Sequence, residues 1–208
     1  MRIISGRFKG RLIQRPLNIR PTQDKVREAL FDILGDIEYL SFIDLYAGSG
    51  AVGLEALSRG VKSVIFVEAD GGCSGIIKKN IQCLNTQCSM LDTRNGQASI
   101  ITMDALRAIF LFSRKRKKFD IVFLDPPYYR HTVPPKLVKS RIKPAWNEGL
   151  AKKTLKSVSR YDIVAPNGLV ICQHFKKDIL PEIAGDLSLI KQAKYGDTTL
   201  SFYNKDVS

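Results

Sequence analysis

Acid is scarce in this chain, and so are the residues that build metal sites. Asp and Glu number 20 against 33 Lys and Arg in 208 residues, a formal charge of +13 and a pI near 9.7. A field of that sign favours a polyanionic partner, whether a nucleic acid or an acidic membrane surface. The two histidines, His131 and His174, and the four cysteines at 73, 83, 88 and 172 form no C-x-x-C pair and complete no zinc spacing. No metal is expected, and the cysteines read as reduced. No apolar run approaches the roughly 18 residues of a membrane span. Met1-Arg2-Ile3-Ile4-Ser5-Gly6-Arg7 also lacks the apolar core of a signal peptide. A cytoplasmic protein that meets no membrane is the expectation. The only tryptophan, Trp146, reads as the hydrophobic anchor of a loop.

Hydrophobic residues make up 44% of the chain, enough to fill one domain of this length. Residues 1–20 hold six Arg or Lys and no acid, with Ile3-Ile4 and Leu12-Ile13 flanking a glycine-bearing bend. They read as a basic β-hairpin extension, with the main domain running from 21 to 208. Thr22 suits an N-cap, and Val26, Ala29, Leu30, Ile33 and Leu34 recur at helical spacing, leaving Lys25 and Arg27 off the stripe. Apolar strands follow at 41–45, 63–68, 99–103, 121–124 and 168–173, alternating with helical stretches near 54–58, 76–84, 105–112 and 150–161. Leu187 to Ala193 and Thr199 to Tyr203 alternate about Tyr195-Gly196-Asp197-Thr198 as a closing hairpin. The order predicts one α/β domain with a mostly parallel sheet and an antiparallel edge.

Chemistry gathers at the ends of these strands. Ile121 to Leu124 reads as a strand buried on both faces, and Asp125-Pro126-Pro127-Tyr128 ends it, because proline offers no N–H to a ladder. An acid, exposed carbonyls and an aromatic on a stiff turn suit a planar base bearing an exocyclic amine. The first strand carries Asp44 near its end and runs into Gly48-x-Gly50-x-x-Gly53, a turn that lets a ligand approach the backbone. No Walker lysine follows, which excludes a P-loop. Glu68 stands 18 residues beyond Gly50, at the end of the second strand, where it can grip ribose hydroxyls. Asp104 ends the third and can accept from an adenine amine. Each of these acids, taken alone, also suits a helix cap or a loop anchor. Together they surround a nucleoside without phosphates, such as S-adenosylmethionine. A nicotinamide cofactor fits the same glycines but leaves the proline turn without a role.

The chain resembles the class I S-adenosylmethionine-dependent methyltransferases, and within them the RsmD-type enzymes that methylate guanine N2 in small-subunit (16S) ribosomal RNA. The resemblance rests on Arg2-Ile3-Ile4-Ser5-Gly6 with Lys9-Gly10-Arg11, and on Arg20-Pro21-Thr22 with Val26-Arg27-Glu28-Ala29-Leu30-Phe31. It continues through Asp44-Leu45-Tyr46-Ala47-Gly48-Ser49-Gly50, Gly53-Leu54-Glu55-Ala56-Leu57-Ser58-Arg59-Gly60, Glu68, Asp104 and Asp125-Pro126-Pro127-Tyr128. It implies a Rossmann-like seven-stranded sheet and a cofactor held by Asp44, Tyr46, Ala47, Gly48, Gly50, Glu68, Asp104 and Ala105. Asp125, Pro126 and Tyr128 would hold the target base. RNA would be met by Arg2, Arg7, Lys9, Arg11, Arg20, Thr22, Lys25, Arg27 and Arg130, in a protein expected to be a monomer acting on 16S rRNA or the small subunit. An adenine-N6 methyltransferase of DNA or RNA, a protein-glutamine methyltransferase and a non-catalytic nucleic-acid-binding protein are the competing readings. Three departures stand out: Gly71-Gly72 opens the helix after Glu68, Gln173-His174 stands where the fifth strand of such enzymes ends in glutamate, and the segment from His131 to Lys156 is longer and more basic than is usual.

Overall fold

In the computed structural model the chain is described over residues 1–15, 24–87, 98–127 and 149–205. The described elements run α1 (Asp24–Leu34), β1 (Ser41–Leu45), α2 (Ala51–Ser58), β2 (Ser63–Glu68), α3 (Gly71–Gln87), β3 (Ala98–Thr102), α4 (Ala105–Arg114) and β4 (Phe119–Leu124). They continue with α5 (Leu150–Arg160), β5 (Val164–Phe175), β6 (Ile183–Ala184), β7 (Leu187–Tyr195) and β8 (Thr198–Lys205). The strands lie in the order β3-β2-β1-β4-β5-β8-β7-β6. From β3 to β5 the neighbours are parallel, and the remaining pairs are antiparallel. The strand beyond the expected seven is β6, two residues long and too short to leave a periodic trace.

Apolar side chains on both faces of β1, β2 and β4 split the core in two. On one face Phe42, Val64, Phe66, Ile121 and Phe123 pack with Leu30 and Phe31 of α1, Leu54 and Leu57 of α2 and Ile77 of α3. On the other, Ile43, Leu45, Val122 and Leu124 pack with Ile109 and Phe112 of α4 and Leu155 and Val158 of α5. The basic N-terminal segment belongs to the first core, into which it sinks Ile3, Phe8 and Ile13. Arg2 and Leu12 form an antiparallel bridge, and Gly6 and Gly10 take the positive φ values that its bends need.

The segment docks on α2, a helix buried at all eight positions although it contains Glu55. The Glu55 carboxylate accepts from the N–H groups of Ile4 (2.8 Å) and Ser5 (2.9 Å). It also pairs with Arg59 at 3.0 Å and faces Arg27 at 3.7 Å. Ser58 Oγ accepts from Phe8 N, and its carbonyl from Arg7 N. A Cβ on Gly6 would lie 1.9 Å from that carbonyl, so only glycine permits the approach.

Arg27 is a correction. Its side chain has no solvent exposure and donates to the Arg2 carbonyl at 2.7 Å, so it holds the N-terminal segment and cannot touch RNA. The apolar stripe of α1 extends to it because a guanidinium can be buried when carboxylates face it. Two helices also begin earlier than their apolar spacing indicates. α2 starts at Ala51, and α3 starts at Gly71, where Asp70 supplies the cap by accepting from Cys73 N at 2.8 Å. In the same way β5 starts at Val164, ahead of Gly168.

Candidate active site

The sheet order reverses between β1 and β4, and in open α/β sheets ligands bind outside the carboxyl ends of the strands at such a point. Asp44, Glu68 and Asp125 fall on one face there, since each lies two residues beyond a core side chain of the first face: Phe42, Phe66 and Phe123. Backbone bonds tie the strand ends together. Asp125 N donates to Leu45 O (3.3 Å), Ala47 N to Val67 O (3.0 Å), and Met103 N to Glu68 O (2.9 Å).

The glycine turn is tightly wound. Gly48 and Gly50 have φ values of 56° and 77°, and Tyr46 adopts 65°, a left-handed conformation costly for a tyrosine. Its hydroxyl lies 2.7 Å from Thr154 Oγ1 on α5, which joins this turn to the helix that follows the proline turn in the chain. Gly53 N donates to Asp44 Oδ2 at 2.9 Å, and a Cβ on Gly53 would fall 2.3 Å from the Phe66 ring. The third glycine therefore serves helix-on-strand packing. Ala47 is buried and donates within the sheet edge, and Ala105 is the buried first residue of α4.

The acids are engaged in different ways. Glu68 accepts from Gly48 N (2.8 Å) through one oxygen and from Asp70 N (2.9 Å) through the other, so it fixes the turn and retains lone pairs for hydroxyls. Asp104 is the N-cap of α4 and accepts from Arg107 N at 3.0 Å. Asp44 is 2% exposed, and burial raises its carboxyl to about 8 against the lowering effect of the Gly53 N–H, with the charges of Asp125 and Glu68 adding to the rise. Asp125 is half-buried, Pro126 buried and Pro127 exposed. Tyr128, Arg130, Arg20, Thr22, His131, Trp146 and the basic stretch 136–148 lie outside the described residues.

Several residues that build the site left little mark in the sequence. Asn80 on α3, 2% exposed, donates to the carbonyls of Gln14 (3.0 Å) and Ser49 (3.2 Å) and accepts from Gln14 N (2.7 Å). It joins the N-terminal segment to the glycine turn. Its signal is a single polar residue at a buried helical position. Gln173 follows Cys172, the partner of Leu124, and so stands beside Asp125; its Oε1 is buried without a hydrogen bond among the described residues. His174 is buried, lies 2.8 Å from Ser201 Oγ and is held below the ordinary histidine range by burial, which marks it as structural.

Two carboxylates, Glu68 and Asp125, beside a buried, hard-to-ionise Asp44 form a site that wants positive charge. A ligand with a sulfonium and an ammonium group satisfies it, and the close glycine turn admits its backbone-hugging half. S-adenosylmethionine has this charge pattern, and its ribose diol matches the remaining lone pairs of Glu68. The order 3-2-1-4-5 with an antiparallel β7–β8 hairpin completes the definition of a class I S-adenosylmethionine-dependent methyltransferase.

Comparison with known proteins narrows the class. The family described as Conserved hypothetical protein 95 matches residues 1–142 and 140–204. YlbH of Bacillus subtilis is 32% identical over 208 residues, covering 99% of both chains. Ribosomal RNA small subunit methyltransferase D of Escherichia coli is 28% identical over 209 residues, covering 99% of this chain and 90% of that one. The solved structure of YhhF from Escherichia coli superposes with a TM-score of 0.74 at 27% identity, covering 99% of this chain and 98% of the other. The chain belongs to the Conserved hypothetical protein 95 family, an RsmD-like group of methyltransferases.

Proposed function

We infer that this chain transfers a methyl group from S-adenosylmethionine to the exocyclic N2 amine of a guanine in small-subunit (16S) ribosomal RNA. The observation that carries the reading is the union of two turns on one sheet edge: the Asp125-Pro126-Pro127 turn bonded to β1, beside a glycine turn whose buried Asp44 has no counter-charge among the described residues. Full-length similarity to an enzyme named for small-subunit ribosomal RNA supports the substrate.

When bound, S-adenosylmethionine supplies an electrophilic methyl group on a positively charged sulfur. Asp44 and Glu68 are assigned to its charge and its ribose, with Tyr46, Ala47, Gly48 and Gly50 forming the wall and Asp104 and Ala105 the far rim. Asp125 and the Pro126 carbonyl accept from the guanine amine, aim its lone pair at the methyl carbon and stabilise the positive charge that develops on nitrogen. The excess proton then leaves the nitrogen for Asp125 or water. Tyr128 is assigned to stack on the base, which must leave its helix to reach the edge. The exposed cations Arg2, Arg7, Lys9, Arg11 and Lys25, with Arg20, Thr22 and Arg130, are assigned to the surrounding RNA. The protein is read as a cytoplasmic monomer; no described helix is long and apolar enough to cross a membrane.

Labelled S-adenosylmethionine, small-subunit RNA lacking the modification, naked or in assembled particles, and mass analysis of the nucleosides test the reading together. N2-methylguanosine is the expected product. N6-methyladenosine would move the target to adenine, and no product at all would refute the reading.

A further inference from the structure

Helices α4 and α5 lie side by side on the sheet face away from the N-terminal segment, and their charge is one-sided. Together they carry Arg107, Arg114, Lys152, Lys153, Lys156 and Arg160, and no Asp or Glu. On the other face α1 balances Lys25 and Arg27 with Asp24, Glu28 and Asp32. The turn after α4 adds Lys115, Arg116, Lys117 and Lys118. Lys118 pairs with Asp162, and Lys117 lies over the Phe119 ring at 5.6 Å. Arg107, Arg114, Lys115, Arg116, Lys153 and Arg160 are exposed and form no ion pair among the described residues.

These cations are interleaved with the exposed Phe110 and Leu111 and the half-buried Tyr161. Arg107, Phe110, Leu111 and Arg114 follow the spacing of one helix face, about 10 Å long. Phe110 is 44% exposed, and its ring meets Tyr161 edge-on at 5.6 Å, while Arg160 lies 5.8 Å over Tyr161. A surface shaped only for solubility mixes both signs of charge and hides its aromatics. Cations set around half-exposed rings are instead the pattern that tracks a phosphate backbone and stacks unpaired bases. Both helices start at the site edge, where Asp104 caps α4, and run to the opposite edge, where the 115–118 turn feeds β4.

We propose that the α4–α5 face is a second RNA-binding surface, which grips the phosphate backbone of the substrate on the side of the sheet away from the N-terminal segment. It rests on the ribosomal-RNA reading above and adds a second point of contact to it. A target base held between two such contacts sits in an RNA that wraps the enzyme, so folded RNA is preferred over a short single strand.

The test compares the wild type with R114Q/K115Q/R116Q/R160Q and with F110A. Binding of unmodified small-subunit RNA is measured by fluorescence anisotropy across a series of KCl concentrations. The fourfold variant should bind about tenfold more weakly at low salt, and its slope of log affinity against log salt should be shallower by about 2 to 4, one unit per lost phosphate contact. F110A should weaken binding about threefold or more with the slope unchanged. Calorimetric affinity for S-adenosylmethionine should stay at the wild-type value in both. Should the fourfold variant misfold, R114Q/K115Q, confined to the helix end and its turn, is read in the same way. Unchanged affinity and slope, in a preparation whose wild type methylates the RNA, would overturn the second surface alone. A wild type that transfers no methyl group would instead break the underlying reading. Loss of binding to phosphatidylglycerol vesicles with RNA binding intact would also overturn the proposal, in favour of a membrane surface.

Discussion

Two carboxylates in this protein are almost equally buried, and they live in opposite circumstances. Glu55 receives two backbone N–H groups and the Arg59 guanidinium, with the buried Arg27 beside it. Asp44 receives the Gly53 N–H, and the charges that reach it, Asp125 and Glu68, share its own sign. Burial of a charge is tolerated when the protein supplies its partners. Glu55 therefore belongs to architecture, since it latches the N-terminal segment, α1 and α2 together. Asp44 meets no opposite charge among the described residues, a demand that a cationic ligand would answer. The contrast separates a structural acid from a functional one where the sequence presents both as an acid within an apolar stretch.

The largest effect is expected at the architectural acid. Glu55→Gln keeps the shape but removes the charge opposite Arg27, whose Nη1 lacks a hydrogen-bond partner among the described residues, and sets an amide N–H against a backbone donor. Removing one partner of a buried pair costs about 3–5 kcal/mol. Urea unfolding should register that loss. If stability falls by less than about 1 kcal/mol, the latch is no stronger than a surface ion pair.

Asp125→Asn should act in the opposite way. The half-buried site tolerates the amide, so folding holds, while loss of the negative acceptor lowers kcat by about 10²–10³-fold, the usual scale for one group that stabilises transition-state charge. Single-turnover methyl transfer measures this. A variant whose KM for RNA rises while kcat stands still would make Asp125 a binding residue.

Asp44 gives a pH signature. Its carboxyl rises from 3.8 to about 8 in the folded chain, so between these values the folded state keeps a proton that the unfolded state has released. This group's contribution is therefore greatest at the acid end and declines as pH rises through the window, by up to about 1.4 kcal/mol per pH unit. A bound cation favours the ionised form, so affinity for S-adenosylmethionine should rise from about pH 6.5 to about pH 8.5, around that shifted carboxyl. Asp44→Asn should flatten both dependences. A wild-type affinity independent of pH would detach Asp44 from the ligand's charge.

Strand-end chemistry was legible because it is local. Apolar runs that stop at Asp44, Glu68 and Asp125 place three acids on one edge once the strands are parallel, and glycine spacing marks the turn between them. What escaped is long-range. Arg27 reads as a surface cation until Glu55, 28 positions later in the chain, is brought against it. The bond from Tyr46 to Thr154 spans 108 positions, and nothing near either residue announces it. The early start of α3 was hidden because Gly71 and Gly72 argue against a helix, whereas the Asp70 cap and packing of the later turns override them. Glu55 itself, an acid at the centre of an otherwise apolar helix, is a local hint of that contact, as Asn80 is on α3.

Asn80 sits between the two circumstances and carries the smallest predicted effect. One of its carbonyl-directed bonds reaches Ser49 in the glycine turn, while its other donor bond and its acceptor bond hold Gln14 at the exit of the N-terminal segment. Asn80→Ala leaves these backbone groups without their partner, at about 1 kcal/mol for each bond lost. If the turn depends on Asn80 for its geometry, calorimetric affinity for S-adenosylmethionine falls by about threefold to tenfold, since 1.4 kcal/mol is tenfold. If the residue serves only the latch, urea stability falls and cofactor affinity does not. The first outcome makes the N-terminal segment and the cofactor turn one mechanical unit, so that whatever engages Arg2, Lys9 and Arg11 also bears on the turn; linkage then requires that RNA and cofactor change each other's affinity by the same factor.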